Sequence, residues 1–83
     1  MPKVLTLGQR RIRVFINSEN ENQIVNAIKS KAADLIDLIN QIAPDPNWNQ
    51  ETTAEFHRLK SLSMTHIENA NDWAIKAATI VNQ

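Results

Sequence analysis

With 83 residues there is room for one small domain, and 42% hydrophobic with 22% charged residues is the composition of a folded globular chain rather than a disordered one. The absence of cysteine excludes a disulfide framework and any thiolate metal site, and fits a reducing cytoplasm. The formal charge is zero but unevenly placed: Lys3, Arg10, Arg11 and Arg13 precede the first acid, Glu19, whereas Lys29, Lys31, Arg58, Lys60 and Lys76 share the remainder with all nine acids. A basic start on an acidic body suits either charge pairing between chains or anion binding. The first residues lack the apolar run of a signal peptide, and no stretch approaches the ~20 apolar residues of a membrane span, so the expected location is cytoplasmic.

Between Arg10 and Ile16 apolar and polar residues alternate, and the expectation for residues 1–17 is a short extended basic arm. Extended backbone would put Ile12, Val14 and Ile16 on one face and Arg11, Arg13 and Phe15 on the other. Two guanidinium forks beside an aromatic ring suit a nucleotide, since Arg pairs with phosphate oxygens and the ring stacks on a base. An edge strand protected from aggregation by its cations would look the same.

Ser18-Glu19-Asn20-Glu21 has the form of a capping box, which predicts a helix over about 19–43 carrying Ile24, Ile28, Ala32, Leu35, Ile39 and Ile42 on one stripe. Pro44-Asp45-Pro46-Asn47 opens a turn over 44–51. Thr52-Thr53-Ala54-Glu55 repeats the capping logic for a second helix over about 52–81, free of glycine and proline. The expected fold is all-α: the arm, then an antiparallel two-helix hairpin over 18–83 that assembles into a homo-oligomeric helical bundle.

Assembly is expected because the second helix is too apolar for one partner. Phe56, Leu59, Ser63, Ile67, Ala70, Ala74, Ala77 and Val81 form a seam, and Leu62, His66, Trp73 and Ile80 on one side with Met64 and Ile75 on the other widen it to roughly 220°, about twice the arc of a surface helix. The missing cover has to come from other chains. The small residues Ser63, Ala70, Ala74, Ala77 and Ala78 would let another helix approach closely.

The sequence offers no persuasive catalytic grouping. His57 and His66 stand too far apart in sequence to share one helical face around a metal, and His66 lies on the apolar flank beside Leu62 and Trp73, where a hydrogen-bonded interface role suits it better than general-base work. With no glycine-rich phosphate loop and no nucleophile beside a base, the chain is expected not to be an enzyme and to use no cofactor or metal.

The run from Arg58 to Ala70 (RLKSLSMTHIENA), continued by Asn71 to Thr79 (NDWAIKAAT), resembles the C-terminal helix of small phage anti-CBASS proteins, whose helical-hairpin domain is shared with phage anti-Thoeris proteins. The likeness extends to Leu7–Val14 (LGQRRIRV) and Gln23–Lys29 (QIVNAIK). It implies a bacteriophage immune-evasion sponge: a homohexamer in the bacterial cytoplasm that binds cyclic di- and trinucleotide messengers without cleaving them, so CBASS effectors stay inactive. Lys29 matches the family's phosphate-contacting lysine, although a rim lysine covering apolar surface with its stem would look alike. Phe15 stands nearest to the family's base-stacking tyrosine, of which this chain has none. Thr65 and His66 fall in the region of a second, trinucleotide pocket; Arg11, Arg13 and Asn26 complete the candidate ligand-binding set. Two rival readings are a small nucleic-acid-binding regulator that uses the basic arm, and a purely structural helical oligomer. Against the first, Asp34, Asp37, Glu68 and Asp72 would face the phosphates.

Overall fold

The computed structural model describes residues 4–12 and 23–80, which form three helices and, among the described residues, no strand: α1 (Leu7–Ile12), α2 (Gln23–Asn40) and α3 (Gln50–Ala78). The expected extended arm is corrected here, because residues 7–12 are helical. The local reason is a second capping box. Thr6 Oγ1 accepts from the Gln9 amide at 3.1 Å, and Gln9 Oε1 accepts from the Thr6 amide at 2.9 Å, satisfying two amides at a helix start. That reciprocal pair outweighs a short apolar alternation, and it places Gly8 and Ile12 on one buried face, four residues apart. Residues 13–17, with Arg13 and Phe15, lie outside the described residues, as do Ser18–Glu21 and Val81.

Gly8 is the chain's only glycine, and it marks the closest approach of two backbones. A Cβ at this position would stand 1.9 Å from the Ala33 carbonyl oxygen and 2.7 Å from its carbon, so no side chain fits between α1 and α2. The Gly8 N–H donates to Asp37 Oδ1 at 2.6 Å, which fixes one free amide of α1 to the acidic side of α2. Ile12, Ala33, Ile36 and Met64 are then buried together, with Leu7, Ala32, Ile39 and Ile67 packed around them.

Helix α2 stops three residues before the expected end. The amides of Gln41 and Ile42 bond back to Leu38 and Ile39 carbonyls in tightened three-residue turns, and Lys60 of α3 donates to the carbonyls of Asn40 at 2.9 Å and Ile42 at 2.8 Å. A cation on the negative end of a helix both satisfies and neutralises it. Asp45 then organises the connection, accepting from the Asn47 amide through Oδ1 and from the Trp48 amide through its carbonyl.

The start of α3 is corrected too. Asn49 rather than Thr52 is the cap: its Oδ1 accepts from the Thr52 amide at 2.8 Å, while Thr53 lies inside the first turn with its amide and hydroxyl on the Asn49 carbonyl. Glu55 is released from the expected box and pairs with Arg58, which holds its carboxyl below the ordinary range through their hydrogen bond. This exposed pair contributes above the unfolded carboxylate pKa, and the contribution fades as pH falls through the lowered folded value.

The hairpin is antiparallel. Ile39, late in α2, and Ile42, just past its end, share a groove with Phe56, Leu59 and Ser63, early in α3; Ile28, Ala32 and Leu35 share one with Ile67, Ala70 and Ala74. The expected seam faces α2, but the buried residues of α3 are Met64, from its flank, and Asn71, whereas Leu59 is 52% and Trp73 69% exposed. Ile24, Leu38, Ile42 and Ile80 are also more than half exposed. The molecule measures 50 × 34 × 13 Å. Its short axis is about the width of a single helix with side chains, roughly 10–12 Å. Its surface of 6709 Å² compares with about 5000 Å² for a compact monomer of this mass.

Gly8→Ala sets two effects against each other. Helix propensity alone would stabilise by about 1 kcal/mol, whereas a collision with backbone atoms costs about 1–3 kcal/mol or more. The expected result is net destabilisation by thermal unfolding at fixed protein concentration; an unchanged or raised Tm would overturn the close-approach reading. Lys60→Met keeps the apolar stem and removes the two charge-assisted bonds, and should cost about 1 kcal/mol in urea unfolding, with faster hydrogen exchange at Gln41 and Ile42.

Candidate functional site

The pinned position of α1 decides where Arg11 goes. Three residues beyond Gly8 and in the last turn, its guanidinium is carried to α3, where Nη2 pairs with Glu68 Oε1. Glu68, Asn71 and Asp72 follow three and four apart on α3 and so share one helical face. With Arg11 and Ile12 they line a cavity of about 240 Å³.

Two polar atoms in this cluster have no partner: Arg11 Nε and Asn71 Oδ1 are both buried and make no hydrogen bond. Asn71 is the one buried polar residue among those described, at 5% exposure. An unsatisfied buried polar group costs about 1–3 kcal/mol, and both atoms are withdrawn from water beside the cavity.

The charge balance of the cavity is one guanidinium against two carboxylates. Arg11, expected on the open face of an extended strand, stands instead in the last turn of α1 and pairs with Glu68. A phosphate entering here would meet both carboxylates.

The other expected ligand residues fall elsewhere. Asn26 and Lys29 sit three apart near the start of α2, Asn26 exposed and Lys29 half-buried. Thr65 and His66 are exposed on α3. Among the described residues, no hydrogen bond or ion pair joins the α2 pair to the α3 pair. Arg13 and Phe15 lie outside the described residues. His57 packs edge-on against Phe56 at 5.2 Å, Trp48 tilts onto the same ring at 5.6 Å, and Lys60 Nζ stands 5.5 Å from its centre. Among the described residues no group of three or more His, Cys, Asp or Glu could hold a metal.

Sequence reasoning missed Glu68, Asn71 and Asp72 as a unit. The available signal was Asn71 itself, a polar residue in the three-four spacing Met64, Ile67, Asn71, Ala74, Ala78, where a helix buried against partners would otherwise carry an apolar side chain. The partner Arg11 could not be inferred, because that requires α1 to be helical.

Neither a curated protein nor a solved structure matches the chain. The family model described as Acb2/Tad1, hairpin domain, matches residues 10–79, from the last turn of α1 to the C-cap of α3, and the chain therefore belongs to the Acb2/Tad1 hairpin family of anti-CBASS and anti-Thoeris sponges.

Proposed function

We propose that this chain binds cyclic di- and trinucleotide messengers and withholds them, intact, from the CBASS effectors they activate. The observation that carries the reading is the family match over residues 10–79, which takes in the whole hairpin. In this mechanism no bond is broken. The protein works by stoichiometry: free messenger must fall below the effector's own dissociation constant, so binding has to be tight and the protein abundant.

The working unit in this proposal is a homo-oligomer, a hexamer by family resemblance. The exposed Leu38, Leu59, Trp73 and Ile80 support it, because a slab one helix thick leaves them in water until other copies cover them. Lys29 and Phe15 supply phosphate and base contacts at a subunit boundary, Asn26 extends the same patch, and Thr65 with His66 lines a separate trinucleotide pocket. The separation of the α2 and α3 candidates within one chain is consistent with pockets that are completed by neighbours.

The test is to incubate the purified protein with a panel of cyclic di- and trinucleotides and with duplex DNA, then release what is retained by heat and weigh it. Retention of cyclic nucleotides with unchanged mass is expected; linear product places the protein among nucleases, and retention of duplex DNA alone favours a nucleic-acid regulator. In calorimetry on variants shown by sedimentation to assemble, Phe15→Ala should weaken binding by about 1–3 kcal/mol with Phe15→Tyr retaining it. Lys29→Ala should weaken it by about 1.5–3 kcal/mol. Wild-type affinity in both alanine variants would remove these residues from the site.

A further inference from the structure

Helix α1 is held at its start by a carboxylate from another helix. Thr6 and Gln9 answer each other's amides, but the Gly8 N–H looks outside α1 and donates to Asp37 Oδ1 of α2 at 2.6 Å. Asp37 is half-buried, and among the described residues no cation pairs with it, so its charge is answered by the positive end of α1. A charge-assisted bond of this kind is roughly twice as strong as a neutral one. In a helix of six residues, which has no stability of its own in water, that bond weighs heavily on whether the helix stays docked.

The same row of α2 leads to a candidate ligand contact. Lys29, Ala33 and Asp37 stand four apart, so they follow one another along one side of the helix at about 6 Å per step. Gly8 packs on the Ala33 carbonyl and bonds to Asp37, which leaves Lys29, half-buried, as the next position along. Ile12 closes the end of α1 into the core with Ala33 and Ile36, and Arg13 is the next residue in sequence. We infer that Asp37 is a positioning residue for messenger binding: through the Gly8 amide it fixes α1 one turn from Lys29, and a chain with α1 released binds more weakly. The inference rests on the sponge reading and deepens it, since it assigns control of affinity to a carboxylate that acts through α1 and not on the ligand. The apparent dissociation constant is then the intrinsic one divided by the fraction of chains with α1 docked. The sign of the effect is diagnostic. Asp37 stands about 12 Å along the helix axis from Lys29, and deleting its negative charge would by field alone tighten the binding of an anionic ligand, whereas loss of position weakens it.

The test is calorimetry with cyclic di-adenylate, cyclic di-guanylate and cyclic tri-adenylate on variants shown by sedimentation to assemble, alongside hydrogen exchange of the α1 amides. Asp37→Ala removes the acceptor and should weaken binding about tenfold, while exchange quickens at Gly8–Ile12 and stays unchanged in the middle of α3. Asp37→Asn keeps an acceptor without the charge and should lose about threefold. Lys60→Met, which removes a helix-end tie between α3 and α2, should destabilise the chain and leave affinity at the wild-type value. In wild type, bound nucleotide should slow exchange at Gly8–Ile12, as reciprocal linkage requires. Unchanged or tighter binding in the Asp37 variants, α1 exchange that does not respond to them, or an equal loss in Lys60→Met overturns the positioning role and leaves the sponge reading standing. Where Asp37→Ala does not assemble, the same criteria decide on Asp37→Asn alone. Failure of the assembled wild type to bind any of the three nucleotides overturns both.

Discussion

The contact between Gly8 and the backbone of Ala33 governs the rest of the molecule. Because no side chain separates α1 from α2 there, the six-residue helix sits close enough for the Gly8 amide to reach Asp37 and for Ile12 to complete a core with Ile36 and Met64. An isolated helix of that length has no stability of its own in water. Its existence is therefore tertiary, and so is the placement of Arg11, which reaches Glu68 only because the helix axis is held against α2.

Around that contact the helix ends of the hairpin are closed by polar groups. Lys60 caps α2 from α3, Asp45 shapes the turn, and Asn49 starts α3, each answering a helix-end amide or carbonyl that would otherwise go unpaired. Few apolar side chains are fully withdrawn from water: Ile36 is completely buried, whereas much of the apolar stripe of α3 faces outward. The internal order of the chain is thus handled by caps within it, while much of its apolar surface, among the described residues, stays uncovered.

How much of this could be read in advance depended on the range of the interactions. The hairpin was legible because Pro44 and Pro46 punctuate it and because both helices carry long three-four apolar periods. The excess apolar arc of α3 was legible for the same reason. Element ends were displaced where two plausible caps competed, Asn49 winning over Thr52, and where Lys60, remote in sequence, supplied the stop for α2. Residues 10–12 were misread because alternation over seven residues was weighed above Thr6 and Gln9, whose reciprocal bonds are as local as any in the chain. Of the candidate site, Arg11 was singled out on an extended face whereas it stands on a helix beside Glu68, and Asn71 went unnoticed because its meaning lies in what surrounds it.

The 13 Å thickness of the molecule carries a kinetic consequence. A slab without a deep interior has little to gain from folding alone; in the homo-oligomer proposed above, association would add to its persistence, and assembly of several copies rises with a high power of concentration. Newly made chains at low abundance would spend longer with their apolar stripes open to proteases, and their survival would improve sharply once enough copies accumulate. Under the proposed sponge mechanism, such a dependence would make capacity switch on over a narrow interval of expression instead of growing in proportion to it.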